Sequence, residues 1–252
     1  MSFRALAICT LALGLTATVA DTATAASCRS ESFQGASYTV CSFDLRQTDL
    51  RIFWRDTAGT PYRSFSTLSG ALAADGLSLE FAMNGGMFHD DYSPVGLFIE
   101  HGKELKPANT RKGPGNFHMK PNGVFYINGN RAGVMETETF LARRPKTQFA
   151  TQSGPMLVIN GRIHPRFFAG SDSLKRRNGV GVSDSRHVHF AISEGAVNFH
   201  EFARFFRERL GCANALFLDG SVSGLYARDL NRDDGWHPFG PIIGAVSRRP
   251  KG

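Results

Sequence analysis

Asp219 stands where an apolar run, Ala215 to Leu218, gives way to Gly220-Ser221-Val222-Ser223-Gly224. The run reads as a short buried strand. An acid at the end of such a strand is held rigidly with its head group exposed. Flanking glycines let a ligand approach the backbone, so Asp219 is a candidate active-site acid. The same residues also suit a tight turn closed by an Asx-type hydrogen bond. A second strand end, after Leu77 to Met83, opens into Asn84-Gly85-Gly86, with His89, Asp90 and Asp91 in the loop beyond. Asn-Gly alone predicts a hairpin turn. That accounts for the backbone but not for three polar side chains together. Positive charge gathers at Lys175-Arg176-Arg177, which fits a pocket for an anionic substrate or a solvated face.

The elements that position these residues are short strands. Tyr38–Phe43 and Leu50–Trp54 are strand candidates that can pair as a hairpin. Further strands are expected at Leu77–Met83, Val95–Ile99, Gly123–Ile127, Ala132–Phe140, Phe149–Gln152, Met156–Ile159 and Phe239–Val246. Val180–Val182 and Val188–Ile192 read as a hairpin over Ser183-Asp184-Ser185-Arg186. Helices are expected at Phe65–Ala74 and at Phe199–Leu210, the latter closed by Gly211. No strand-helix alternation of the dinucleotide-binding kind appears. There is no Gly-x-Gly-x-x-Gly, no Walker loop and no Gly-x-Ser-x-Gly elbow.

Bulk properties narrow the class. The chain has 252 residues, 42% of them hydrophobic, with 27 glycines and a net charge of +7. Arg4, the apolar stretch Ala5–Leu15 and the small residues Ala23-Thr24-Ala25 read as an export signal over residues 1–25. Residues 26–252 then form one domain, exported to the periplasm or beyond. No later stretch is long and apolar enough to span a bilayer. Ala25-Ala26-Ser27 lacks the Leu or Val expected before a lipidated cysteine at Cys28. Export makes nucleic acid a weak partner for the basic groups. Cys28 and Cys41 could tie the start of the mature chain to its first strand. Cys212 reads as a buried free thiol. The carboxylates between Asp229 and Asp234 lack EF-hand spacing. No cofactor is implied, and dependence on a divalent metal stays open.

Four pieces, each at a strand end, carry a family resemblance. They are Asn84-Gly85-Gly86-Met87-Phe88, Ser153-Gly154-Pro155-Met156-Leu157-Val158, Arg177-Asn178-Gly179-Val180-Gly181-Val182 and Leu216-Phe217-Leu218-Asp219-Gly220-Ser221. In this order they resemble the phosphodiester glycosidase domain family. That is the catalytic domain type of the lysosomal "uncovering" enzyme, which removes N-acetylglucosamine from phosphodiester-linked mannose. The resemblance covers about residues 38 to 247. It implies an α+β fold, with a mixed, strongly bent β-sheet core and a few flanking helices. The family usually has Asp-Gly-Gly where this chain has Asp219-Gly220-Ser221, so Ser221 is a departure.

The resemblance implies hydrolysis of a sugar-1-phosphodiester at the anomeric carbon. The leaving phosphate departs as a stable anion and needs little protonation, so the site can be rich in cation donors. Asp219 is the candidate general base or nucleophile at C1. Arg177 is the candidate phosphate ligand, because a planar guanidinium fits two oxygens at once. Asn84 could fix a sugar hydroxyl or a phosphate oxygen. Backbone amides near Gly85, Gly86 and Gly154 could form an anion nest. Ser153, Ser221 and Ser223 are further ligand candidates, and His89 is a candidate for substrate contact. The partner is then a sugar phosphodiester or a phosphate-bearing glycan. A non-catalytic glycan-binding module and a phosphodiesterase cutting the P–O bond are the alternatives.

Overall fold

The computed structural model describes residues 27–220, 222–235 and 237–249. The expected export signal and Ser221 lie outside the described residues. Seven strands form the first sheet, in the spatial order β1 (Ser27–Phe33), β2 (Ala36–Asp44), β13 (His187–Ser193), β12 (Asn178–Val182), β14 (Asn214–Asp219), β10 (Met156–Ile159) and β11 (Arg162–Ile163). The second runs β16 (Arg232–Asp233), β15 (Leu225–Ala227), β4 (Leu77–Asn84), β17 (Ile242–Arg248) and β3 (Asp49–Phe53). The third runs β6 (Lys103–Lys106), β5 (Phe98–Glu100), β9 (Phe149–Ser153), β7 (Gly123–Asn128) and β8 (Arg131–Glu136). Helices α1 (Phe65–Ala74), α2 (Thr137–Arg143) and α3 (Phe199–Arg204) flank them. The expected α+β class holds. The core is divided among three sheets, and the strand pairings within them are antiparallel.

Inward-facing residues of all three sheets meet in one core, among them Phe43, Ile52, Phe81, Phe98, Phe125, Phe190, Leu216 and Ile243. A second core forms where α3 covers the first sheet, with Tyr38, Leu157, Phe202, Phe205, Phe206 and Phe217. A third lies between α1 and the second sheet, around Phe65, Leu68, Phe239 and Ile242. Each fully buried Phe contributes about 1.5–3 kcal/mol, so the phenylalanine-rich composition is spent on sheet contacts. α1 begins at Ser64, whose side chain accepts the Thr67 N–H at 3.0 Å. α3 begins at Asn198, which forms a capping box with Glu201. It continues as a π-helical turn, Phe205–Arg209, within the expected helix span.

Two local expectations are corrected. β2 and β3 do not pair; β2 lies between β1 and β13, and β3 pairs with β17. The polar strand β1 takes the hairpin place beside β2. The two-residue turn Gln34-Gly35 has positive φ at both positions (50° and 82°), as a tight hairpin requires. The expected strand Ala132–Phe140 is β8 followed by α2. Glu136 accepts the N–H groups of Glu138 and Thr139 at 3.0 and 2.7 Å, so its side chain caps a helix there. Cys28 and Cys41 sit opposite each other in β1 and β2 and form a disulfide. Closing 13 residues of separation contributes about 3 kcal/mol in the chain-entropy account. Cys212 is free and buried, and burial pushes its thiol up to about 12.

Candidate active site

The four strand ends singled out by sequence lie on three different sheets. β4 ends at Asn84, β9 ends at Ser153, β14 ends at Asp219 and β12 begins at Asn178. β12 and β14 are paired with a slipped register: Asn178 faces Asp219, while Gly179 faces Phe217. Leu218 is therefore the extra residue of a β-bulge, a feature that commonly re-aims a side chain beside a functional site. A bulge leaves backbone groups without ladder partners. Here side chains replace them. The Asn178 Oδ1 accepts the Asp219 N–H at 2.9 Å, and the Ser153 Oγ donates to the Leu218 carbonyl at 2.8 Å.

A relay of neutral amides then crosses to the second sheet. The Asn178 Oδ1 is occupied by a backbone N–H, so its Nδ2 must donate, and it donates to the Asn84 Oδ1. The Gly224 N–H donates to the same oxygen at 3.0 Å. With Oδ1 fixed as an acceptor by two donors, the Asn84 Nδ2 is left as a donor. It is fully buried and has no partner among the described residues. A buried unmade hydrogen bond costs about 1–3 kcal/mol, which a ligand oxygen at this position would restore. Asp219 itself is half-buried. Its Oδ1 accepts the Gly220 N–H at 2.6 Å, and its carbonyl accepts from the Ser223 Oγ at 3.0 Å. This bond to the next residue is one position short of the Asx-type bond weighed from sequence, which would reach two residues on.

The Asn84-Gly85 turn is not the hairpin that its dipeptide predicts. β4 pairs with β15 and β17, and the chain leaves the sheet at Gly85. The Gly85 N–H donates to Pro241 at 2.6 Å, and its carbonyl accepts from the Thr151 Oγ1 at 2.8 Å. Gly86 has φ of 134°, and a side chain there would lie 3.3 Å from the Thr151 Oγ1. The glycine is therefore required on conformational and steric grounds. Gly154 is equally confined, with the Asn122 Cβ 2.6 Å from where its own Cβ would stand.

Arg177 occupies a different environment from the open phosphate clamp expected of it. It is only 1% exposed. Its Nε donates to the Val197 carbonyl at 2.9 Å and its Nη2 to the Ser173 carbonyl at 2.7 Å. The guanidinium lies 3.6 Å from the centre of the Phe199 ring. Its Nε–Nη2 edge is thus taken up by the protein's own carbonyls. Burial lowers its pKa to about 10, so it remains cationic at neutral pH. No carboxylate pairs with it among the described residues. A buried cation without a counter-ion favours a nearby anion.

The neighbouring Asn178 is the site residue that sequence reasoning passed over. Its signal was present within Arg177-Asn178-Gly179, but the charged neighbour drew the assignment. Consecutive side chains of an extended segment point to opposite faces. Here Arg177 faces Phe199 and Asn178 faces Asp219. Arg176, Arg232, Glu194 and Asp234 were likewise not assigned. The Arg176 Nη2 donates to Asp234 at 3.0 Å, and Arg232 joins Asp234 (2.8 Å) to Glu194 (2.6 Å). The Asp234 N–H donates to Leu225, so this network braces the strand that follows the Asp219 loop. His89 is exposed and lines a separate cleft with Lys106 and Arg111. Among the described residues no three His, Cys, Asp or Glu side chains converge as metal ligands would.

Three antiparallel sheets meeting near an amide-anchored aspartate, with a few flanking helices, define an α+β fold class. It belongs to the phosphodiester glycosidase family, whose model matches residues 78–245. Escherichia coli (strain K12) has a similar chain, the uncharacterized protein YigE, 36% identical over 179 residues; these are 71% of this chain and 70% of that one. The zebrafish N-acetylglucosamine-1-phosphodiester alpha-N-acetylglucosaminidase catalytic domain, auto-inhibited by its pro-peptide, shares the fold at TM-score 0.60 and 13% identity, covering 87% of this chain and 81% of that one. A hypothetical protein from Synechocystis matches at TM-score 0.58 and 15% identity, over 88% of this chain and 62% of that chain.

Proposed function

We propose that the chain hydrolyses a sugar-1-phosphodiester at the anomeric carbon, releasing free sugar from an exported or envelope-associated substrate. Family membership and the activity for which the zebrafish relative is named support the reaction class. The single observation that carries the site is the Asn84–Asn178–Asp219 relay, in which neutral donors and acceptors fix the Asp219 backbone where three sheets meet. In this reading Asp219 either attacks C1 to form a glycosyl ester that water then hydrolyses, or deprotonates the water that attacks C1 directly. The C1–O bond breaks and its electron pair leaves with the phosphate. That leaving group departs as an anion, so no second carboxylic acid is required opposite Asp219. The Asn84 Nδ2 donates to a substrate oxygen. Arg177 acts through its field and by holding the segment 173–177 against Val197, and through the one nitrogen not bound to a carbonyl. Ser153 and Ser223 shape the loop through the carbonyls of Leu218 and Asp219. The Cys28–Cys41 disulfide accords with an oxidising, extracytoplasmic location.

The test is product analysis in oxygen-18 water with an N-acetylglucosamine-1-phosphodiester, with and without chelator. Unlabelled phosphate and a sugar labelled at C1 are expected. Label in phosphate means P–O cleavage and overturns the glycosidase reading. Absence of turnover across a panel of sugar phosphodiesters, with binding retained, means a glycan-binding module.

A further inference from the structure

The loop 85–97 leaves the Asn84 strand end and finishes at the wall of a second cavity. This cleft has a volume of about 370 Å³ and is lined by His89, Gly96, Lys106, Asn109, Thr110 and Arg111, with prolines and small apolar residues between them. No aspartate or glutamate lines it. Neither Lys106 nor Arg111 has a carboxylate within ion-pair distance among the described residues. The nearby Asp91 is engaged by the Ser93 N–H at 2.9 Å. It senses both Lys106 and His89, which hold its carboxyl below the usual range after the larger effect of Ser93.

The floor is rigid. The Gln152 Oε1 accepts the N–H groups of Leu97 and Asn109, both at 2.9 Å, and its Nε2 donates to the Asn109 carbonyl at 2.9 Å. A side chain at Gly96 would lie 2.2 Å from that Oε1, so this wall is closely fitted to Gln152. Asn109 is pinned within its own loop and to the loop 85–97, its Oδ1 accepting the Arg111 N–H at 3.2 Å and its Nδ2 donating to the Val95 carbonyl at 3.1 Å. The cleft is tied to the Asp219 site through β9. Ser153 holds the Leu218 carbonyl beside Asp219, while the preceding Gln152, buried behind the cleft lining, holds the backbone of Leu97 and Asn109. Strand alternation puts the two on opposite faces. Loop 85–97 bridges those faces.

We propose that this cleft is the subsite for an anionic chain on the leaving-group side of the scissile bond. Its ligand class is an oligomer of phosphodiesters, with Lys106 and Arg111 taking a phosphate beyond the scissile one and His89 offering a ring N–H. The size is within the range of about 300–1,000 Å³ common for ligand pockets. A single-sign, carboxylate-free lining selects anions over neutral glycans. The assignment to the leaving-group side rests on the glycosidase reading above.

The test uses two probes on the mature chain. Sodium tripolyphosphate is titrated calorimetrically into wild type, into Lys106→Gln/Arg111→Gln, and into the exposed control pair Lys103→Gln/Lys112→Gln, which removes the same charge outside the cleft. Binding about tenfold or more weaker in the first pair alone is expected. Unchanged binding, or equal loss in both pairs, overturns the cleft. Turnover is then compared on sugar-1-phosphodiesters with a methyl aglycone and with an oligo(polyol phosphate) aglycone. The cleft pair is expected to lower kcat/KM on the oligomer alone. Equal loss on both substrates overturns the leaving-group assignment. If wild type turns over neither substrate while tripolyphosphate binding depends on Lys106 and Arg111, the anion cleft stands and the glycosidase reading falls.

Discussion

Asn178 stands directly across β12/β14 from Asp219 and supplies, through its side-chain Oδ1 at 2.9 Å, the acceptor for the Asp219 backbone N–H at the bulge. One neutral amide thus repairs the ladder where it slips and orients the carboxylate there. Its other end reaches Asn84 on a second sheet. Under the proposed function, activity and local stability are therefore coupled at a single residue.

Replacing Asp219 by Asn keeps the shape of the side chain and its place at the bulge but removes the charge. The expected outcome is an unchanged far-UV circular dichroism spectrum with loss of most turnover on a sugar-1-phosphodiester. A folded variant with a near-normal rate would exclude the catalytic role.

Asn178→Ala frees the Asp219 N–H and removes one of the two donors to the Asn84 Oδ1. Loss of these buried bonds costs about 1–3 kcal/mol. Denaturant titration measures that loss. Steady-state kinetics on the folded variant should show a fall in kcat larger than any rise in KM, because the residue orients the acid and does not reach the substrate.

Arg177→Lys retains a charge but cannot hold two carbonyls in the fixed fork of a guanidinium. The bonds to Val197 and Ser173 and the stacking on Phe199 are lost together, for a destabilisation of about 2–4 kcal/mol. On the folded protein, the ratio of kcat/KM between a phosphodiester and a neutral aryl glycoside should change little with Lys and fall with Met, which removes the charge. A selective rise in KM for the phosphodiester with Lys would instead indicate a direct two-oxygen contact.

His189 lies between two hydroxyls, with Nδ1 2.9 Å from the Ser42 Oγ and Nε2 3.1 Å from the Ser183 Oγ. Burial, aided by His187 and Arg29, lowers its pKa from 6.5 to about 4. Between these values the unfolded chain binds a proton that the folded chain excludes. Stability therefore rises with pH across this window and falls as pH drops from 6.5 toward 4, by an amount on the order of 1–3 kcal/mol. Thermal unfolding at several pH values reads this slope. His189→Gln should flatten it over pH 4–6.5, and an unaltered slope would assign the dependence to other groups.

Much was legible in the sequence because each signal was local. The runs around Leu79, Val158, Phe190 and Phe217 are apolar over strand lengths, and they are strands. The glycines at strand ends are short-range features whose conformational preferences act within a few residues. The four motif pieces pointed to the family for the same reason. The facing of Cys28 and Cys41 also depended on one hairpin.

Tertiary structure decided what depends on distant partners. Nothing local makes β3 pair with β17 in place of β2, because pairing is set by which apolar faces can be buried together. Nor does the Arg177-Asn178 dipeptide tell which residue faces the acid. That follows from the pleat of β12 and from a bulge at Leu218 visible only when β14 lies beside it. Sequence placed an aspartate at a strand end; three sheets meeting there made it a candidate site, since Asn178 takes its backbone N–H, Ser153 the carbonyl before it and Asn84 the amide of Asn178, from strands far apart in the chain.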